Sequence, residues 1–201
     1  MHLFVYLHGF KSSPNSNKAQ LTKAAIEQRI QAGEPITWYC PQLPALPREA
    51  MQMVKDHIHG QTFSTLSFMG SSLGGYYATY LAELFPSKVS LLNPAIEPAR
   101  DLGKYIGEQK SWHQDEVFHF LPEYIEELQE IYVQKIAQAE RYFLLAAKGD
   151  EVLDWREMVA KYPGAHQLIL EGGDHAISDY PNYLNQLMEF HFTSLTHLKP
   201  T

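Results

Sequence analysis

The residue types that could do chemistry sit in three short stretches: Gly70-Ser71-Ser72-Leu73-Gly74, Gly149-Asp150-Glu151 and Gly172-Gly173-Asp174-His175. A serine hydroxyl is a weak nucleophile near neutral pH. A base must take its proton, and an acid must orient that base. Ser72 has glycine at both −2 and +2, the G-x-S-x-G pattern that presents a serine on a sharp turn between strand and helix. Small residues there let neighbouring backbone pass close to a strained turn. Ser71 lacks that flanking pair, so Ser72 is the candidate nucleophile, and the Ser71 side chain is expected to point inward or bond locally. Two other uses of the glycines fail on spacing. A phosphate loop would end in Gly-Lys-Ser/Thr, and Gly70, Gly74 and Gly75 do not fit G-x-G-x-x-G. A Gly/Ser turn that serves packing alone is the plain alternative.

Asp150 and His175 follow Ser72 in the chain order serine, acid, histidine used by hydrolases with this turn. Each comes just after an apolar run, YFLLAAK and QLILE, where the carboxyl end of a parallel strand faces ligand. One helical segment separates them, so they should cap neighbouring strands. Glu151, Asp154 and Asp174 are rivals for the acid. Asp150 ranks first because it comes first after the strand. Asp154, its strongest rival, also reads as an N-cap for WREMVAKY, with Glu157 at the capping-box position. Asp174 adjoins the base in sequence, and adjacent side chains rarely face each other. Acyl transfer also needs donors for a developing oxyanion. The backbone N–H groups of Leu73, next to the nucleophile, and of Phe10, in His8-Gly9-Phe10 after the first apolar run, are the candidates. His8 lies upstream of the serine and is expected to brace that loop. His57 and His59 share a helix but point to different faces, and no other histidines pair at ligand spacing, so neither a metal nor a cofactor is expected.

These residues need elements to hold them. Six short apolar segments read as strands of a parallel sheet: Leu3–Leu7, Ile36–Tyr39, Thr65–Met69, Lys88–Leu92, Tyr142–Ala146 and Gln167–Leu170. Helical patterns cover Asn17–Ala32, Pro47–His59, Leu73–Phe85, Asp154–Lys161 and Tyr183–Phe192. Strands alternating with helices imply crossover units. Between Asn93 and Glu140 no strand is convincing. That section reads as Arg100–Ile106, a polar stretch, and a helix from Pro122 to about Ala139. It is longer than one crossover needs, so a small helical cap is expected over about residues 97–140 of a single domain spanning 1–201. Trp112, Phe118, Phe120 and Tyr124 could line an apolar acyl pocket there, or could simply pack the cap onto the core.

The whole-chain figures agree with one globular unit: 201 residues, 45% hydrophobic and 19% charged. A net charge of −7 with no long basic run argues against a nucleic-acid partner. No stretch approaches the ~20 apolar residues of a membrane span. The lone cysteine, Cys40, makes no internal disulfide, which suits the cytoplasm. The oligomeric state is not legible.

With these residues in place, the chain resembles an α/β-hydrolase of the YqiA-like esterase family. The resemblance rests on YLHGFKSSPNSNKA, GSSLGGYYATYLAE, LNPAIEPARDL, KGDEVLDW and GGDHAISDY, five segments that agree in order over nearly the whole chain. It implies a compact α/β-hydrolase fold without the two opening strands of larger members. It implies esterase activity on small-molecule acyl esters, with acyl thioesters such as acyl-CoA as the alternative. It carries Ser72, Asp150 and His175 over as a triad, with no cofactor; a non-catalytic binding protein that keeps the fold is the alternative from outside enzymes.

Overall fold

The computed structural model describes residues 1–110 and 117–193, so Trp112, His113 and His197 lie outside the described residues. In chain order the elements are β1 (His2–Leu7), α1 (Asn17–Gln31), β2 (Ile36–Tyr39), α2 (Pro47–His59), β3 (Thr65–Ser71), α3 (Leu73–Leu84) and β4 (Lys88–Leu92). Then come α4 (Pro98–Leu102), β5 (Gly107–Lys110), β6 (Val117–Phe120), α5 (Pro122–Glu130), β7 (Tyr142–Ala147), α6 (Trp155–Lys161), β8 (His166–Leu170) and α7 (Pro181–Phe192).

Six strands form one sheet in the order β2-β1-β3-β4-β7-β8, and each neighbouring pair runs parallel. The carboxyl ends of the five strands β1, β3, β4, β7 and β8 therefore lie in a row along one edge. Side chains alternate across a strand, so each strand feeds two cores. On β1, Leu3, Val5 and Leu7 join one cluster with Met51 and Val54 of α2 and with Tyr77 and Leu81 of α3. Phe4 and Tyr6 join the other, with Ala19 and Ile26 of α1 and Leu187 of α7. Both faces are covered, which is why the strands read as continuous apolar runs rather than as alternation.

The section between β4 and β7 departs from the sequence expectation. It carries an antiparallel pair, β5 with β6, where no strand was convincing. Phe118 and Phe120 alternate with His119 along β6, but four residues give a weak period-2 signal. The helix expected from Pro122 to about Ala139 stops at Glu130. Beyond it, neighbours take the backbone groups that a helix would use. Lys161 Nζ donates to the Val133 carbonyl, and the Ala137 N–H donates to Glu83 Oε2 at 3.0 Å. The cap thus carries a two-stranded antiparallel sheet beside its short helices. No helix among the described residues is long and apolar enough to cross a membrane.

Candidate active site

Ser72 sits between β3 and α3 at φ 56°, ψ −122°, a conformation that L-residues rarely adopt. Such strain persists only where the surroundings over-determine it. Here the Ser72 N–H donates to the Leu92 carbonyl at 3.0 Å, and the Ser72 carbonyl takes the N–H groups of Gly75 at 2.9 Å and Ala95 at 3.0 Å. The flanking glycines are a steric requirement. A Cβ on Gly70 would lie 2.2 Å from the Gly74 carbonyl oxygen, and one on Gly74 would lie 2.0 Å from the Leu7 carbonyl oxygen.

β7 and β8 are neighbours, so the loops after them meet. His175 Nδ1 is 2.8 Å from Asp150 Oδ2, and His175 Nε2 is 3.1 Å from Ser72 Oγ. A carboxylate only accepts, so Nδ1 carries the proton and Nε2 is left to accept from the hydroxyl. The Asp150 side chain is wholly buried and that of His175 is 17% exposed. Asp150 Oδ1 takes the N–H groups of Val152 at 2.8 Å and Leu153 at 2.9 Å, which fixes the carboxylate plane.

The rival acids have other tasks. Glu151 Oε2 accepts the backbone N–H of His175 at 3.0 Å. Asp154 caps α6 by accepting from the Arg156 N–H at 2.9 Å. The capping box is not closed, because Glu157 reaches out to Arg100 in a two-pronged pair at 2.8 and 2.9 Å. Asp174 takes the Ser178 hydroxyl and N–H, and these bonds hold its carboxyl below the usual range. Ser71 ends β3 and is buried, while the hydroxyl that meets the histidine belongs to Ser72.

The two expected oxyanion donors flank Ser72. Leu73 is the first residue of α3, where the N–H has no intrahelical partner. Phe10 follows Gly9, whose added Cβ would stand 3.2 Å from Ser72 Cβ. His8 braces this loop. The Leu43 N–H donates to its Nε2 at 3.1 Å, which leaves the proton on Nδ1 to donate to the Gly9 carbonyl at 3.0 Å. The Ser12 N–H reaches the same carbonyl at 3.2 Å. A peptide is planar, so pinning that carbonyl aims the Phe10 N–H the opposite way.

Asn93 follows the end of β4, a position that should face the site, but its task there is not legible in the sequence. It is fully buried at φ 42°, a conformation asparagine tolerates. Its Oδ1 accepts the Ala147 N–H at 2.8 Å, and its Nδ2 donates to the carbonyls of Asp174 at 3.0 Å and His175 at 3.2 Å. One side chain thus joins the ends of β4 and β7 to the histidine loop.

A cavity of about 650 Å³ opens over Ser72 and His175. Ala95, Pro98, Leu102, Tyr105, Val152 and Leu153 give it an apolar wall. Of the two roles open to the cap aromatics, the described ones take the packing role. Phe118 and Phe120 pack edge-on against Phe10, with centroids 5.9 and 5.2 Å away, and Tyr124 packs on Phe120. Phe118 lines a smaller adjoining cavity of about 370 Å³. His57 stacks on Tyr39 at 3.5 Å and His59 packs against Phe85, so neither serves the site.

A family model described as "Uncharacterised protein family (UPF0227)" matches residues 3–192. The chain belongs to this family. The fold of this UPF0227 member is shared by solved hydrolases at low identity. A putative hydrolase from Agrobacterium vitis S4 is 18% identical, with TM-score 0.68 over 94% of this chain and 88% of that one. Est1E from Butyrivibrio proteoclasticus, solved with ferulic acid bound, is 15% identical, with TM-score 0.68 over 96% and 90%. A monoacylglycerol lipase from Paleococcus ferrophilus is 17% identical, with TM-score 0.62 over 98% and 95%. The UPF0227 chain thus has the α/β-hydrolase fold, with its six-stranded parallel sheet and flanking helices.

Proposed function

We propose that this protein is a serine hydrolase of small carboxylic esters, working through a Ser72–His175–Asp150 triad. The observation that carries the reading is the pair of contacts at 3.1 and 2.8 Å that runs from a strained serine through a histidine to a buried carboxylate. Ser72 Oγ attacks the acyl carbon while His175 Nε2 takes its proton. Asp150 accepts from Nδ1 and stabilises the imidazolium. The N–H groups of Leu73 and Phe10 hold the oxyanion; losing one such donor typically costs ~3 kcal/mol. Collapse breaks the bond to the leaving group, which departs with the proton from His175. Water, activated by the same nitrogen, then releases the acid from Ser72. This chemistry calls on no metal or cofactor. The apolar wall suits a short acyl chain, and esterases and lipases share the fold. The lone Cys40 suits work in the cytoplasm.

Lys11 and Lys104 line the same cavity, with Asp101 and Glu151 also on its wall, and the two lysines are the feature that favours acyl-CoA, a thioester whose CoA portion carries phosphates, as a second substrate class. A graded panel of p-nitrophenyl esters and acyl-CoA thioesters separates the two. In Ser72→Ala, kcat/KM should fall by ~10⁴ or more with the melting temperature retained, and a fluorophosphonate should no longer label the chain. Full activity in Ser72→Ala, with loss in Ser71→Ala, would overturn the assignment.

A further inference from the structure

Besides Asn93 and Glu151, a side chain of α1 on the wall of the same cavity reaches the histidine loop. Lys18 stands in the first turn of α1, and its Nζ donates to the Ala176 carbonyl at 2.7 Å and to the His175 carbonyl at 3.4 Å. The His175 carbonyl therefore has two donors, Lys18 from α1 and Asn93 from β4. Nothing local favours a lysine there. A cation opposes the dipole at a helix N-terminus, and partial burial costs more. Burial pushes its ammonium down to about 8, against the pull of Asp174 and Asp150. A position that breaks local rules this way is where function is expected.

We propose that Lys18 is a positioning residue for the base: with Asn93 it fixes the His175–Ala176 backbone so that Nε2 stays on Ser72 Oγ. The inference rests on the triad reading above. A misplacement of about 1 Å in such a constellation can cost ~100-fold in rate. Charge-assisted hydrogen bonds are roughly twice as strong as neutral ones, so the clamp is tightest with the protonated lysine and loosens when the proton is lost. The groups facing it are the carboxylates of Asp174 and Asp150, with His175 between them and Glu151 holding the His175 N–H. As pH rises through about 8 the ammonium is lost, and the rate should show a falling alkaline limb there.

The test measures kcat and KM on a short p-nitrophenyl ester across that range, with spontaneous hydrolysis subtracted, for the full chain, Lys18→Met and Lys18→Arg. Lys18→Met should lose about 10- to 100-fold in kcat at neutral pH, with KM within about twofold and no limb near 8. Lys18→Arg should keep most of the rate and extend the plateau, since its charge persists. Lys18→Met removes a partly desolvated cation, so its melting temperature should not fall. If it fails to fold, the arginine profile decides alone. Wild-type kcat in Lys18→Met, or an alkaline limb unchanged in Lys18→Arg, overturns the proposal. A wild-type chain with no Ser72-dependent hydrolysis overturns the triad reading itself, and the proposal with it.

Discussion

The serine turn and the histidine loop face each other across 3.1 Å and are held in different ways. The turn is held by shape. Gly70 and Gly74 bring three backbone segments so close that a methyl group has no room. The loop makes one close approach of its own, where a Cβ on Gly149 would stand 2.2 Å from the Gly173 carbonyl oxygen, but around His175 it is held by hydrogen bonds from elsewhere: Asn93 from β4, Lys18 from α1, Glu151 and Asp150 from the loop after β7. A strained backbone needs rigid surroundings, whereas a base that must hold and pass protons needs its ring fixed without being jammed. Steric fixation fails all at once when a single atom is added. Polar fixation fails by degrees, one donor at a time.

The largest effect should therefore follow from adding one carbon to the turn. In Gly74→Ala the new Cβ would stand 2.0 Å from the Leu7 carbonyl oxygen and 2.7 Å from that of His8, both backbone atoms with no freedom to retreat. Overpacking usually costs about 1–3 kcal/mol and here should reach the top of that range or exceed it. At about 2–4 °C per kcal/mol for a chain of this size, thermal melting should drop by roughly 6–12 °C, with esterase activity lost. The matched control is Gly172→Ala, where an added Cβ meets nothing within 4 Å. That change should stay within about ±0.5 kcal/mol. A Gly74→Ala protein that melts like the parent would erase the distinction between the two regions.

The next effect sharpens the polar side. Asn93→Gly keeps the positive φ but removes the acceptor for the Ala147 N–H and the donors for the Asp174 and His175 carbonyls. Each buried group left unpaired costs about 1–3 kcal/mol, so a loss of several degrees in melting is expected. The loop is still tethered by Lys18 and Glu151, so kcat should fall by only about 10- to 100-fold, with KM little changed. Asn93→Ala should melt lower again, by the ~1–2 kcal/mol that a left-handed backbone costs an ordinary residue. Equal stability in the glycine and alanine variants would show that φ is relaxed there and that the hydrogen bonds alone matter.

The same contrast explains what could be read from the sequence. Gly70, Ser72 and Gly74 are neighbours in the chain, so the steric solution is written locally. The meeting of Asp150 with His175 was legible because each directly follows an apolar run and the two strands are adjacent. Lys18 and Asn93 lie 157 and 82 residues from the His175 carbonyl they share, and nothing near either reveals that partner. The cap was least legible for a related reason. The 131–138 segment contains residues that read as helical, yet Lys161 and Glu83, from α6 and α3, take its backbone groups. Tertiary bonding overrides a propensity worth only tenths of a kcal/mol per residue.

The smallest expected effect concerns the join between the cap and the acid side of the site. Arg100 on α4 makes the two-pronged pair with Glu157 on α6, and α6 begins just after the Asp150 loop. If the cap were a working part of the triad's frame, breaking this pair should move the acid and lower kcat. The pair is exposed, however, with side-chain accessibilities of 55% and 38%, and Asp150 is fixed by its own loop through Val152 and Leu153. Exposed pairs contribute about 0.2–1 kcal/mol and weaken with salt. Glu157→Gln, which spares the 2.7 Å pair of Arg100 with Asp101, should lower the melting temperature by no more than about 4 °C, less at high salt, and leave kcat within about twofold. A tenfold loss in kcat with unchanged melting would mean that the Asp150 loop depends on the cap, and that the polar side of the comparison extends well beyond Asn93, Lys18 and Glu151.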